Sequence, residues 1–291
     1  MDIREGGLEG FVARSQWTRR GFVMTSLATG FALSMQPVSA ETIHTDSTGL
    51  EAGEVKVPVA DGSIPAYRAM PDSGGPFPTV LIVHEAFGVH EHIQDLCRRL
   101  AKLGYYAIAP ELFAREGNAA AIKDPKELVA KILSKVPEDQ ALSDLDAALV
   151  YAKVTGKADL SKLAVTGFCW GGRITWLYAA HQPELKAAVA WYGVDRAHSE
   201  LTPNNPLDVI PDLKCPVLGL YGGADKSIPR ELSDKRQAAC KAAGKTCDMM
   251  VYPDAPHGFN ADYRPSYRAD AAKDGWARML AWFKETVLAR I

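Results

Sequence analysis

Leu163-Ala164-Val165-Thr166-Gly167-Phe168-Cys169-Trp170-Gly171-Gly172-Arg173-Ile174-Thr175-Trp176-Leu177 is the stretch that decides the fold. Leu163–Thr166 is a short apolar run rich in branched residues and reads as a buried strand, whereas Gly171–His181 has the length of a helix. Between them, Gly167-Phe168-Cys169-Trp170-Gly171 must turn a strand into a helix within a few residues. Side chains at 167 and 171 would collide with the neighbouring strand and helix, so both positions call for glycine, and Gly172 adds further room. The turn lifts residue 169 to a helix N-terminus, where partial positive charge favours a thiolate. Taken alone, the same stretch also fits a buried structural cysteine.

Outward from this turn, strand and helix signals alternate along the chain. Glu54–Val59 and Ile64–Met70 read as a hairpin joined by Ala60-Asp61-Gly62-Ser63. Thr79–His84 is a continuous apolar run, expected to be covered on both faces. A helix over Glu91–Leu103 stops at Gly104, Tyr105–Ala109 is the next strand, and Pro110–Asp124 is a long loop. Helices are expected near Pro125–Ser134 and over Glu138–Val154. Strands at Ala187–Tyr192, Pro216–Tyr221 and Thr246–Tyr252 follow, with a helix at Arg230–Ala243 and an irregular, proline-bearing connection at Asp195–Leu213. The last helix, Tyr267–Ala289, offers Trp276, Leu280 and Phe283 to the core. This alternation implies one α/β domain over residues 41–291, a doubly wound, mostly parallel sheet with helices on both faces. Right-handed crossovers gather the loops that carry chemistry along one edge.

Two further residues give Cys169 a chemical context. Asp225 follows the strand Pro216–Tyr221 within Gly222-Gly223-Ala224-Asp225, and His257 follows the strand Thr246–Tyr252 within Ala255-Pro256-His257-Gly258-Phe259. Nucleophile, acid and histidine then appear in the order of the α/β-hydrolases, each after its own strand. His257 would act as base toward Cys169, and Asp225 would hold the imidazole in the right tautomer. His181, at a helix end, is a rival base expected to point away.

His84-Glu85-Ala86-Phe87-Gly88-Val89 stands at the carboxyl end of an early central strand, where this fold draws one oxyanion-hole N–H. The two N–H groups are assigned to Ala86 and Trp170. Glu85 would lie close to Cys169, a costly place for a carboxylate without a role. His84, His90 and His92 with Glu91 straddle a loop and a helix start, which argues against a metal site.

Together these strings resemble the dienelactone hydrolase (carboxymethylenebutenolidase) family: cysteine in the elbow, Asp225 and His257 in order, and the early His-Glu-x-Phe-Gly string. The resemblance spans about residues 54–288. It implies an α/β-hydrolase fold that opens enol-lactones without metal or cofactor, with Cys169, His257 and Asp225 as the triad. Glu85 matches the glutamate that holds the resting thiol and helps form the thiolate when an anionic substrate binds. Arg115, in Leu112-Phe113-Ala114-Arg115, matches an arginine that meets the substrate carboxylate, and Tyr192 is expected to line the pocket. The family's second carboxylate-binding arginine falls on Ala261, leaving Arg264 and Arg268 as alternatives. The implied substrate is a small lactone or ester, anionic ones included. Two other readings are a general carboxylesterase or thioesterase of the same fold and a non-catalytic periplasmic binding protein; the complete triad disfavours the latter.

Composition sets the remaining bounds. A net charge of −2 across 291 residues, with no polybasic run, argues against nucleic acid or a membrane surface as partner. Thr18-Arg19-Arg20-Gly21-Phe22-Val23, the uncharged apolar stretch Met24–Met35 and the small-residue pattern Val38-Ser39-Ala40 form the layout of a twin-arginine signal over residues 1–40. The implied partner is the export machinery, and the implied location is periplasmic or secreted. Of five cysteines, Cys97 and Cys215 read as core residues, and Cys240 and Cys247 stand where a helix end and a strand start could be bridged. The twin-arginine route carries folded proteins, so such a bond would form late.

Overall fold

The computed structural model describes residues 43–288; the expected leader lies outside the described residues. The chain enters its sheet as the expected hairpin. β1 (Leu50–Val59) and β2 (Gly62–Pro71) pair antiparallel from Val59↔Gly62 to Leu50↔Pro71, turning through Ala60-Asp61. β2 also pairs antiparallel with β4 (Tyr106–Pro110).

Everything beyond that is parallel. β3 (Phe77–Val83), β5 (Ala158–Phe168), β6 (Ala187–Trp191), β7 (Val217–Gly222) and β8 (Cys247–Tyr252) complete one sheet in the order β1-β2-β4-β3-β5-β6-β7-β8. The chain leaves β3 toward β4 on one side, then returns to place β5 on the other side. That reversal opens a crevice beyond the carboxyl ends of β3 and β5, where open α/β sheets hold their sites. Five longer helices are present among the described residues: α1 (Glu91–Lys102), α2 (Glu138–Val154), α3 (Trp170–His181), α4 (Arg230–Ala242) and α5 (Ala269–Phe283). None is long and apolar enough to cross a membrane.

Each face of the sheet has its own core. Leu81, Val83, Leu163 and Val165 pack toward α2 and α3, whereas Val80, Ile82, Ala164 and Val189 pack toward α1 and α5. On α1, Ile93, Leu96, Cys97 and Leu100 form the buried stripe, each large aliphatic side chain contributing roughly 1.5–3 kcal/mol. Gly104, at φ +89°, lets the chain turn from α1 into β4.

The structure differs from expectation in several places, three of which bear on the site and the core. β5 runs through Gly167 to Phe168, so the turn itself shrinks to Cys169. The segment near Pro125–Ser134 is a single α-turn, Pro125–Leu128, followed by a π-turn, Val129–Leu133. The buried face of α5 is Ala272, Gly275, Met279 and Phe283, leaving Trp276 and Leu280 half-buried. The reason is a close approach: a side chain at Gly275 would come within 2.7 Å of the Trp191 ring, so the helix lies backbone-first on that indole. Cys240 and Cys247 are joined as a disulfide linking α4 to β8, while Cys97 and Cys215 are free and buried.

Candidate active site

Cys169 is the N-cap of α3 at φ +56°, ψ −114°, a strained conformation for a residue with a side chain. Its N–H donates to the Trp191 carbonyl at 3.0 Å, and its carbonyl accepts from Arg173 N–H at 3.2 Å. The glycines around it leave no space for a methyl group. A Cβ at 167 would stand 2.4 Å from the Gly171 carbonyl oxygen, and one at 171 would stand 2.3 Å from that of Val83. The crowded turn forces the strain, and the strain aims the buried sulfur from the helix N-terminus into the crevice.

His257 and Asp225 reach the same place from β8 and β7. His257 Nδ1 lies 2.7 Å from Asp225 Oδ2, and the other carboxylate oxygen accepts Ser227 N–H at 2.7 Å. Burial opposes charge on the imidazole, but the Asp225 carboxylate and the Cys169 sulfur outweigh it and raise His257 to about 10. Nε2 forms no hydrogen bond of normal geometry, yet it is near enough to Cys169 for the two to interact. Tyr192, at φ +38°, packs edge-on against His257 with ring centres 5.1 Å apart, and its buried hydroxyl has no hydrogen-bond partner. His181 is elsewhere, on the surface, paired with Asp146 at 2.7 Å.

The loop after β3 closes the other side. Val83 pairs with Gly167, so Glu85 and Cys169 each stand two residues beyond the last shared rung. His84 rivets this loop: Nδ1 meets the Glu85 carbonyl at 2.8 Å, Nε2 accepts Leu112 N–H at 3.0 Å, and the ring stacks on Trp170. Ala86 and Trp170, whose N–H groups are assigned to the oxyanion hole, are both buried, one in this loop and one in the elbow.

Glu85 is fully buried, and its surroundings correct the expectation drawn from the resemblance. Its Oε1 meets His90 Nε2 at 3.1 Å and its Oε2 faces Arg264 at 3.8 Å, but no hydrogen bond joins it to Cys169. Burial alone would raise its pKa; Arg264, His90 and His92 overcome that and bring it to about 2. An imidazole N–H and a guanidinium are both strong partners for a carboxylate.

Arg115 is not brought to this cluster. Its Nε and Nη2 grip Asp61 in the hairpin turn at 2.7 and 2.6 Å, and its Nη1 donates to Asp144 on α2 at 2.7 Å. With two carboxylates already bound, the guanidinium ties hairpin to helix and is not presented to a substrate. Of the alternatives to Ala261, Arg264 is the buried one beside Glu85, lying over the Phe87 ring at 4.8 Å. Arg268 is exposed and donates to the Pro265 and Tyr267 carbonyls. Sequence reasoning missed His90 as Glu85's partner. The five-residue spacing in Glu85-Ala86-Phe87-Gly88-Val89-His90 was a usable signal, but it becomes specific only once the loop folds back.

Known proteins resemble this chain over most of its length. The family model described as "Dienelactone hydrolase family" matches residues 64–287. A Methylorubrum extorquens protein provisionally named a carboxymethylenebutenolidase is 60% identical over 287 residues, 98% of this chain and 99% of that one. A similarly named protein from Escherichia coli K12 is 50% identical, with 90% of this chain and 97% of that one covered. A crystal structure from Klebsiella pneumoniae, provisionally named a dienelactone hydrolase, superposes with TM-score 0.79 at 52% identity, covering 81% of this chain and 99% of that one.

Proposed function

The chain belongs to the dienelactone hydrolase family, and from that premise we propose that it opens a small lactone or ester through Cys169, His257 and Asp225. Membership makes it a hydrolase acting on esters or lactones. The observation that carries the cysteine mechanism is the buried His257–Asp225 pair at 2.7 Å, with its imidazole turned toward a strained Cys169 at a helix N-terminus.

In this reading Cys169 Sγ, as the thiolate of a thiolate–imidazolium pair, attacks the substrate carbonyl carbon. The carbonyl electron pair moves onto oxygen and is met by the Ala86 and Trp170 N–H groups. The tetrahedral intermediate collapses, the ring or ester C–O bond breaks, and His257 gives its proton to the departing oxygen. Water then attacks the thioester as His257 takes one of its protons, and the C–S bond breaks to release the acid and the thiolate. Asp225 keeps Nδ1 protonated throughout. Tyr192 lines the pocket, and Arg264, already beside Glu85, supplies positive charge for anionic substrates.

The decisive experiment compares wild type with Cys169→Ala on p-nitrophenyl acetate and on cis- and trans-dienelactone. We expect activity to fall by several orders of magnitude while the circular dichroism is unchanged, since triad members act as a unit. Equal rates would sink the nucleophile assignment.

Export by the twin-arginine route belongs to the same proposal. The Cys240–Cys247 disulfide supports it, because such bonds persist in oxidising compartments. Finding the full-length protein, unprocessed, in the cytoplasmic fraction would overturn it.

A further inference from the structure

A second cleft, of about 390 Å³, opens between α1, the start of α5 and the loop after His257, and no residue given a role in the chemistry lines it. Arg99, Asn260 and Lys273 bring polar groups to it, and Tyr267 and Trp276, both half-buried, bring aromatic surface. Ala269, Ala272 and Trp276 share one face of α5 at helical spacing, so two small residues leave room beside one indole.

Asn260 is a side chain that folding alone does not explain. It is 4% exposed, yet its amide nitrogen has no hydrogen-bond partner. Burying an unpaired amide is costly, and this one borders a cleft that a ligand can enter. The rest of the wall suits negative charge. Arg268, the N-cap of the 15-residue α5, makes no side-chain cap hydrogen bond, so the N–H groups of the first turn, where Ala269 lies, are left for another acceptor. Lys273 stands exposed one turn further on. Arg99 commits Nε to Asp95 and Nη2 to Asp262, which leaves Nη1 outside those pairs. Among the described residues no Asp or Glu lines the cleft.

We propose that this cleft is a binding site for a small planar carboxylate of the aromatic-acid kind. The carboxylate meets the α5 N-terminus, Lys273 and the Asn260 amide, and the ring lies against Tyr267 and Trp276. The site is separate from the catalytic crevice and does not depend on the role given to Cys169. Its wall nonetheless begins three residues after His257, on the segment that also carries Asp262 and Arg264.

The test titrates benzoate into the purified protein by calorimetry, with benzamide as the neutral control. We expect saturable binding of benzoate at roughly millimolar concentration and binding of benzamide weaker by about tenfold. Lys273→Glu, at an exposed position, should weaken benzoate by about tenfold. Asn260→Leu should do the same while raising the melting temperature, because it removes an unpaired buried amide. A side chain kept for the fold alone would not trade stability for binding in this way. Should Asn260→Leu not fold, Lys273→Glu decides alone. Three results overturn the proposal: no saturable binding of benzoate, benzamide bound as tightly as benzoate, or a loss of less than about fivefold in either folded variant. Benzoate held only in the catalytic crevice gives the last of these.

Discussion

His257 Nδ1 lies 2.7 Å from Asp225 Oδ2 across 32 residues of sequence, joining the loops after β7 and β8 in a buried ion pair. The imidazole is raised from 6.5 to about 10, against the effect of burial, by Asp225 and Cys169. Its folded pKa exceeds its unfolded one, so its contribution to stability is fully present below 6.5 and is lost as pH climbs toward about 10. The resistance of wild type to denaturation should therefore fall over that window by more than that of Asp225→Asn. Parallel stability profiles for the two proteins would contradict the coupling.

The backbone at Cys169, φ +56° and ψ −114°, suits glycine and strains any other residue. Cys169→Gly should be more stable than Cys169→Ala by about 1–2 kcal/mol, and under the proposed mechanism both should lack activity. Chemical denaturation of the two inactive variants isolates this strain. An alanine variant as stable as the glycine one would show that the turn is relaxed.

Gly171 faces the Val83 and His84 carbonyl oxygens, which a methyl group would approach to 2.3 and 2.4 Å. Both oxygens are backbone, on or beside β3, and cannot swing aside. Gly171→Ala should destabilise by about 3 kcal/mol or more, or prevent folding. A soluble variant melting within a few degrees of wild type would mean that β3 and α3 can part.

Arg115 is bound by Asp61 and Asp144, and Asp144 is 3% exposed. Removing the guanidinium strands a buried carboxylate whose pKa burial already raises. Arg115→Ala should cost about 1–2 kcal/mol of stability and leave KM for anionic and neutral esters alike unchanged. Adding Asp144→Asn should recover most of the loss. A rise in KM confined to anionic lactones would restore the anchoring role drawn from the resemblance.

Local chemistry made much of this readable in advance. Strands β3 and β6 and helix α2 were legible because branched apolar runs, glycine stops and helical spacing are properties of short segments. The order Cys169, Asp225, His257 was legible because each follows its own strand, and parallel strands deliver their following loops to one edge. The Trp276–Leu280 face of α5 was misjudged because a helix shows its apolar residues but not how closely its partner approaches; Gly275 against Trp191 decided that.

Sequence by itself determined the doubly wound fold, the glycine-crowded turn and the three residues around it. Only the tertiary structure decided which cation meets Glu85, that His90 holds it, that Arg115 is already spent on Asp61 and Asp144, and that Cys240 is bonded to Cys247. The reason is physical. Backbone preferences act over a few residues, whereas a charged side chain takes whichever partner folding brings within about 3–4 Å, and that partner is chosen by packing among segments far apart in the chain.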